Sequence, residues 1–351
     1  MSSGWLATRE DVKRGLDQAE TARNNLQVDR ALESATRNVE GLLHRKFFPV
    51  LATKYFDWPS LQYSYPWRIW FGDWALDLAA IPTSVTSGGK TIPLSACNFE
   101  PANSGPPFTY LELKRDQSYA FGGSSTPQRD TAITGLWAYG ADTAPAGTLT
   151  AAVNSATATT IQVSDSSQTG VGNSLLIDTE RMNVTGKTMV TTGQTLQTPL
   201  SASAANDQVA VTNGSAYAID ETLTLDTERM LVLDIIGNNL TVKRAYDGSV
   251  LAAHNGSTIY APRQLVVERG VLGTTAATHL NAAPILRHQI PGLVKDLALA
   301  LAINQVLQEG AGYARVQGSG DHQKEFTGRG IGQIQEDCIQ AFGRKARSRV
   351  I

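Results

Sequence analysis

One acidic phrase occurs twice in this chain. Asp178-Thr179-Glu180-Arg181-Met182 recurs as Asp226-Thr227-Glu228-Arg229-Met230, an offset of 48 (178 to 226). In a strand, residues i and i+2 share a face, so each Asp/Glu pair has the spacing for acid–base work or for holding calcium. A second phrase recurs downstream: "VKRAYDGSVLAAH" at 242–254 and "VERGVLGTTAATH" at 267–279, an offset of 25 (242 to 267), each closing on a histidine. The structural reading of both repeats is the stronger one. Glu180 and Arg181 are expected in solvent where a strand begins, His254 and His279 cap the same turn twice, and the phrases recur because the fold does.

The remaining candidates for chemistry are thin. His44, His254, His279, His288 and His322 show no HxxxH or HxH spacing, and no CxxC exists, so no metal is expected. Cys97 and Cys338 lie in segments of different character; they suggest neither a disulfide framework nor a zinc site, and a reducing compartment is the simplest expectation. "GRGIG" at 328–332 is neither a GxGxxG after a strand nor a Walker loop, and hinge glycines before a helix account for it. No catalytic residue, metal or cofactor is assigned. The cationic end, with Arg344, Lys345, Arg347 and Arg349 and no acid, has three readings: solubilising charge, a complement to the negative end of its own helix, or a contact for an acidic surface or DNA phosphates.

The totals set the frame for these residues. A chain of 351 residues has room for two or three domains. A net charge of −2 argues against a whole-chain nucleic-acid or membrane binder. The first residues lack an apolar signal-peptide core, and no run of 18 uncharged apolar residues occurs, so neither secretion nor a membrane span is expected.

Periodicity then places the elements. Thr8 with Asp11 three positions on reads as the start of a helix over 8–22. A second helix begins near Asn24 or Asn25; its Val28, Leu32, Ala35, Val39 and Leu42 step by 4, 3, 4 and 3 onto one face, and it stops at Pro49. Between 51 and 140, "ATKYFDW", "ALDLAAI", "TYLELKRD" and "AITGLWAYG" read as strands divided by Pro and Gly. The aromatic cluster from Tyr55 to Trp74 reads as packing rather than as a stacking platform for a ligand. From 147 to 284 the chain is Thr-, Ser-, Ala-, Gly- and Val-rich. The unequal repeat spacings fit a small barrel or sandwich of duplicated strands better than a solenoid. Helix returns at Pro291, almost wholly apolar to Gly310 and expected at the centre of a bundle. A glycine-rich connector over 310–330 and a last helix with basic tail over 331–351 follow.

In this order the parts resemble the head-to-tail connector (adaptor, or head-completion) proteins of tailed bacteriophages. The similarity rests on "TREDVKRGLDQAETARNNLQVDRALESATRNVEGLLHRKFFP" as the helical opening and "ALDLAAIPTSVTSGGKTIPLSACNFEPANSGPPFTYLEL" as the following strand pair. It continues with "AITGLWAYG" leading to the helix "PGLVKDLALALA", displaced by the 147–284 insertion. The resemblance implies an α+β fold: a helical-bundle adaptor core with short strands over 1–146 and 285–351, plus an inserted all-β barrel or sandwich. It also implies a structural virion protein at the head–tail interface, assembled in the host cytoplasm. Copies would form a ring, a dodecamer by analogy, beneath the portal protein. That ring would meet downstream tail or head-completion proteins and pass double-stranded DNA without holding it. Portal docking would fall to Phe342, Arg344, Lys345, Arg347, Arg349 and Ile351, and ring packing to Val28, Leu32, Val39, Leu42, Leu297 and Leu301. A β-rich tail-fibre or receptor-binding protein is the alternative from another class.

Overall fold

The computed structural model describes residues 4–16, 21–59, 65–72, 76–310, 316–317, 324–325 and 329–344. The chain forms two compact units. The larger contains Met1–Thr36, Thr143–Val271 and Thr275–Gly332; the smaller contains Arg37–Asp142, Leu272–Thr274 and Gln333–Ile351. The division falls within the second of two opening helices, α1 (Arg9–Leu16) and α2 (Ala22–Leu43).

The smaller unit is built on seven strands: β1 (Val50–Phe56), β2 (Arg68–Trp70), β3 (Ser84–Ser87), β4 (Lys90–Ile92), β5 (Cys97–Glu100), β6 (Tyr110–Leu113) and β7 (Thr131–Trp137). They pair as two antiparallel sheets, ordered β1-β7-β3-β4 and β2-β6-β5. Alternation decides which face goes in. Thr131, Ile133, Gly135 and Trp137 of β7 are buried while the residues between them are half-exposed. Ile69, Phe71, Val85, Phe99, Leu111, Ile133 and Trp137 then share one core between the sheets. Residues 76–81, expected as a strand, make only bridges at Leu78, to Phe108 and Trp137.

The larger unit holds β8 (Thr143–Thr148), β9 (Thr160–Gln162), β10 (Ser174–Ile177), β11 (Glu180–Thr195), β12 (Gln208–Ala210), β13 (Thr222–Leu225), β14 (Glu228–Ile236), β15 (Asn239–Lys243), β16 (Thr258–Glu268) and β17 (Pro284–His288). They join one ten-stranded antiparallel sheet, which closes on itself twice. In the first barrel, β10, the start of β11, the end of β16 and β9 pair in turn. Thr150 N donates to Gln162 O, Leu149 N to Ala283 O, and β17 returns to β10. In the second, β13, β14, β15 and β12 pair in turn. Gln197 N donates to Ala210 O, Leu196 N to Ser257 O, and β16 returns to β13. The second barrel is thus inserted within the β11–β16 hairpin of the first, and these two long strands run through both.

Each barrel has its own apolar core. Ile161, Val163, Leu175, Ile177, Met182 and Val184 fill the first; Val209, Val211, Leu223, Leu225, Met230 and Val232 fill the second, each 48 positions on. A fully buried Leu, Ile or Met is worth about 1.5–3 kcal/mol relative to an exposed one, so these layers dominate the unit's stability.

The expected fold class is corrected. The protein is mostly β, 34% strand against 23% helix, and has no helical-bundle core. Helices α1, α2 and α3 (Gly292–Gly310) do share a cluster of Val12, Val28, Leu32, Ala302 and Val306 in the larger unit. That cluster is small beside the barrels, and Trp5 packs against both it and the first barrel's core. Apolar composition misled at α3: Val294, Leu297, Ala298, Ala302 and Val306 form a single buried stripe, and Leu307 is exposed. The last helix, α4 (Arg329–Phe342), buries Cys338 and leaves Ile339 exposed.

Candidate functional site

The repeated phrases meet inside the barrels. At the end of β10 the two-residue link Asp178-Thr179 turns the chain into β11, with Asp178 at φ 52°, a conformation Asp tolerates. This turn aims the Glu180 side chain inward, where it is fully buried. Arg269, directly after β16, grips it with two bonds of 2.6 Å from Nε and Nη2. The backbone N–H groups of Gly270 (3.0 Å) and Ala277 (2.9 Å) add two more. His279 then bridges the two acids: Nε2 lies 2.9 Å from Glu180 Oε2 and Nδ1 lies 2.7 Å from Asp178 Oδ2.

The second barrel repeats this atom for atom. Arg244 bonds Glu228 at 2.7 and 2.8 Å. Ala245 N and Ala252 N donate to it, both at 2.9 Å. His254 sits 2.9 Å from Glu228 and 2.7 Å from Asp226. Asp226, Ala245, Asp247 and Gly248 carry positive φ, as do Asp178, Gly270, Leu272 and Gly273 at the matching positions of the other repeat. The two stations match in glutamate, arginine, histidine, aspartate and the two donating amides, and in where φ turns positive, the signature of one module nested within a copy of itself.

Burial sets the electrostatics. Desolvation raises the pKa of each Glu, but the arginine bonds, the two amides and the histidine prevail and hold Glu180 and Glu228 at about 2. Asp226 is also lowered, chiefly by the bonds from His254 and Ser257. Both glutamates are thus fixed anions and both arginines their fully committed partners.

These stations have little capacity for reaction. The histidine rings are at most 1% exposed and both ring nitrogens are engaged by carboxylates, so no substrate atom reaches them. Ser257 Oγ donates to Asp226 at 2.7 Å in the second barrel, and Ala283 stands at its place in the first, so this hydroxyl is not shared by the two stations. Among the described residues, no cluster of His, Cys, Asp or Glu has the arrangement for a metal ion. Cys97 is no nucleophile either, since burial pushes its thiol up to about 11. A third buried pair lies at the seam of the barrels, where Arg263 grips Glu221 at 2.8 and 2.7 Å and Ser166 donates to the same carboxylate at 2.7 Å.

The residues singled out from sequence are placed as follows. Glu180 and Arg181 are both buried rather than solvated; Glu180 is held by Arg269 and by the backbone N–H groups of Gly270 and Ala277, and the Arg181 carbonyl accepts from Val271 N. Val28, Leu32 and Leu297 are fully buried within the larger unit, Leu301 is half-buried there, Val39 is buried in the smaller unit and Leu42 is half-buried. Phe342 meets Tyr139 edge-on at 5.6 Å, and its carbonyl accepts from Arg45 Nε at 2.7 Å. Arg344 donates to Phe71 O and Leu76 O, and its backbone N–H to Leu43 O. Beneath them Arg45 pairs with the fully buried Asp77 at 2.6 Å. Lys345, Arg347, Arg349 and Ile351 lie outside the described residues. Sequence reasoning missed Arg244 and Arg269, although the signal was present: each precedes its histidine by the same interval (244 to 254, 269 to 279). No protein-family model, curated protein or solved structure matches the chain.

Proposed function

We propose that this chain is a structural, self-assembling protein of a tailed-phage neck, a connector that forms a ring beneath the portal and continues the DNA channel. The observation that carries the reading is how the polar groups are spent. The glutamates, arginines and histidines best suited to chemistry are locked onto one another inside the barrels, as a scaffold requires and an active site does not. The order of segments resembles the connector family, and a near-neutral chain suits a channel through which DNA slides without being held. Closed barrels leave few strand edges, a favourable trait for a module that projects from an assembly. In this reading Phe342 and Arg344 anchor the C-terminal segment to its own unit, and the cationic residues beyond them meet the portal.

The test is electron microscopy and mass photometry of the purified chain, alone and mixed with its portal. Rings of uniform copy number on the portal are expected. A chain that stays monomeric with portal present would refute the proposal. Tandem barrels also suit a tail-fibre or receptor-binding protein, and a trimer in the absence of portal would favour that reading.

A further inference from the structure

Two asparagines sit in matching turns of the twin barrels, and a third precedes a glycine elsewhere in the second barrel. Asn255-Gly256 joins the end of the second barrel's repeated phrase to β16. Asn281-Ala282 occupies the same turn of the first barrel, with Ala282 at φ 62° where Gly256 has φ 63°. Asn213-Gly214 is the other Asn-Gly step in the chain. Such a step is prone to cyclise, because glycine puts no side chain in the path of attack and turns freely.

Two of the three are blocked. Gly214 is buried and its N–H donates to Asn238 Oδ1 at 3.0 Å, while Asn213 Oδ1 accepts from Ser215 N and Oγ. The Ala282 N–H is shared between Leu149 O and Asn281 Oδ1, both at 2.9 Å, and Ala282 carries the methyl that Gly256 lacks. Asn255 and Gly256 are both exposed; a Cβ built on Gly256 meets nothing within 4 Å, and among the described residues neither makes a hydrogen bond.

We infer that Asn255 is a site of spontaneous covalent modification, converting to aspartate and isoaspartate in the folded protein. The Gly256 backbone nitrogen, once deprotonated, attacks Asn255 Cγ; the Cγ–Nδ2 bond breaks and ammonia leaves. Water then opens the cyclic imide at either carbonyl, giving aspartate or its isomer with one extra backbone carbon. The position gives the reaction a consequence. The turn lies between two fixed rungs, the reciprocal His254–Leu200 pair and the Leu196 N–Ser257 O bond. The isomer lengthens the chain between them, and either product sets a new carboxylate on the residue that follows His254. Ageing therefore loosens the second barrel and spares the first.

The full chain is incubated at mildly alkaline pH and mapped by peptide mass spectrometry, with isoaspartyl methyltransferase labelling to separate the products. The folded protein is expected to convert Asn255 and retain Asn213 and Asn281; in urea Asn213 should convert alongside Asn255. Conversion of Asn213 as fast as Asn255 in the folded chain, or survival of Asn255 there while the urea sample converts, would overturn the inference. Gly256→Ala, at a backbone conformation that Ala282 already adopts, should slow conversion at Asn255 roughly tenfold or more; an unchanged rate in that variant refutes the mechanism.

Discussion

Glu228→Gln keeps the shape of the second station and removes its charge. Two effects follow with different pH dependence. At neutral pH the substitution leaves Arg244, whose side chain is 1% exposed, as a buried cation without its counter-charge. Losing one partner of a buried pair costs about 3–5 kcal/mol. The second effect is linkage. Despite desolvation, the bonds from Arg244, Ala252, His254 and Ala245 hold the carboxyl at about 2, against the usual 4.5, a difference worth roughly 3 kcal/mol. Because the folded value is the lower one, this contribution is fully present above pH 4.5 and is lost as pH falls through 2. Roughly 2 kcal/mol of it should be gone at pH 3. Urea unfolding followed by circular dichroism at pH 7, 5, 4 and 3 measures both effects. The gap between wild type and Glu228→Gln should be wide at pH 7 and narrow by that amount at pH 3, and Glu180→Gln should behave alike. Parallel pH profiles for wild type and variant would refute the account of Glu228 as a tightly held anion.

Three further outcomes are expected. Gly172 has φ 104°, and a Cβ there would lie 2.6 Å from Trp5 Cε3. Gly172→Ala should therefore displace the first residues, at a cost of about 1–3 kcal/mol, seen as a red-shift in Trp5 emission against a Trp5→Phe control and faster N-terminal proteolysis. Joining Thr188 to Gln264 through Asn-Gly removes the second barrel and gives the first a short hairpin; the product should stay folded with its Glu180 station intact, as judged by a cooperative thermal transition. Arg45→Ala strands the buried Asp77 carboxylate and should destabilise the chain by roughly 3–5 kcal/mol in urea unfolding, more than Arg344→Ala, whose nearest approach to Asp77 is 3.9 Å.

Local pattern revealed a good deal of this. The 3.6-residue stripe of α2 is real, with Val28, Leu32, Ala35 and Val39 all buried. Strands follow from alternation at β1, β6 and β7, and the duplication is legible in the two offsets. Burial of the repeated acids was not legible. A Glu beside an Arg at the start of a strand reads as solvated, because its partner arginine stands 89 residues away in the first barrel. Composition also overstated the helices: an apolar α3 suggested a bundle centre, yet one stripe of it is enough to seal the helical cluster.

By itself the sequence determined the parts: which segments alternate, which step at helical spacing, and that one module is written twice. Side-chain periodicity is a local property, so a single strand carries it whatever its partner. Only the tertiary structure decided that the second barrel sits inside a hairpin of the first, and that each Asp-Thr-Glu turn closes on an arginine and a histidine from outside its own hairpin, 89 and 99 residues on in the first barrel and 16 and 26 residues on in the second. Those pairings depend on register between strands, where no local pattern ranks one partner over another; the common requirement to bury each glutamate with its counter-charge selects them.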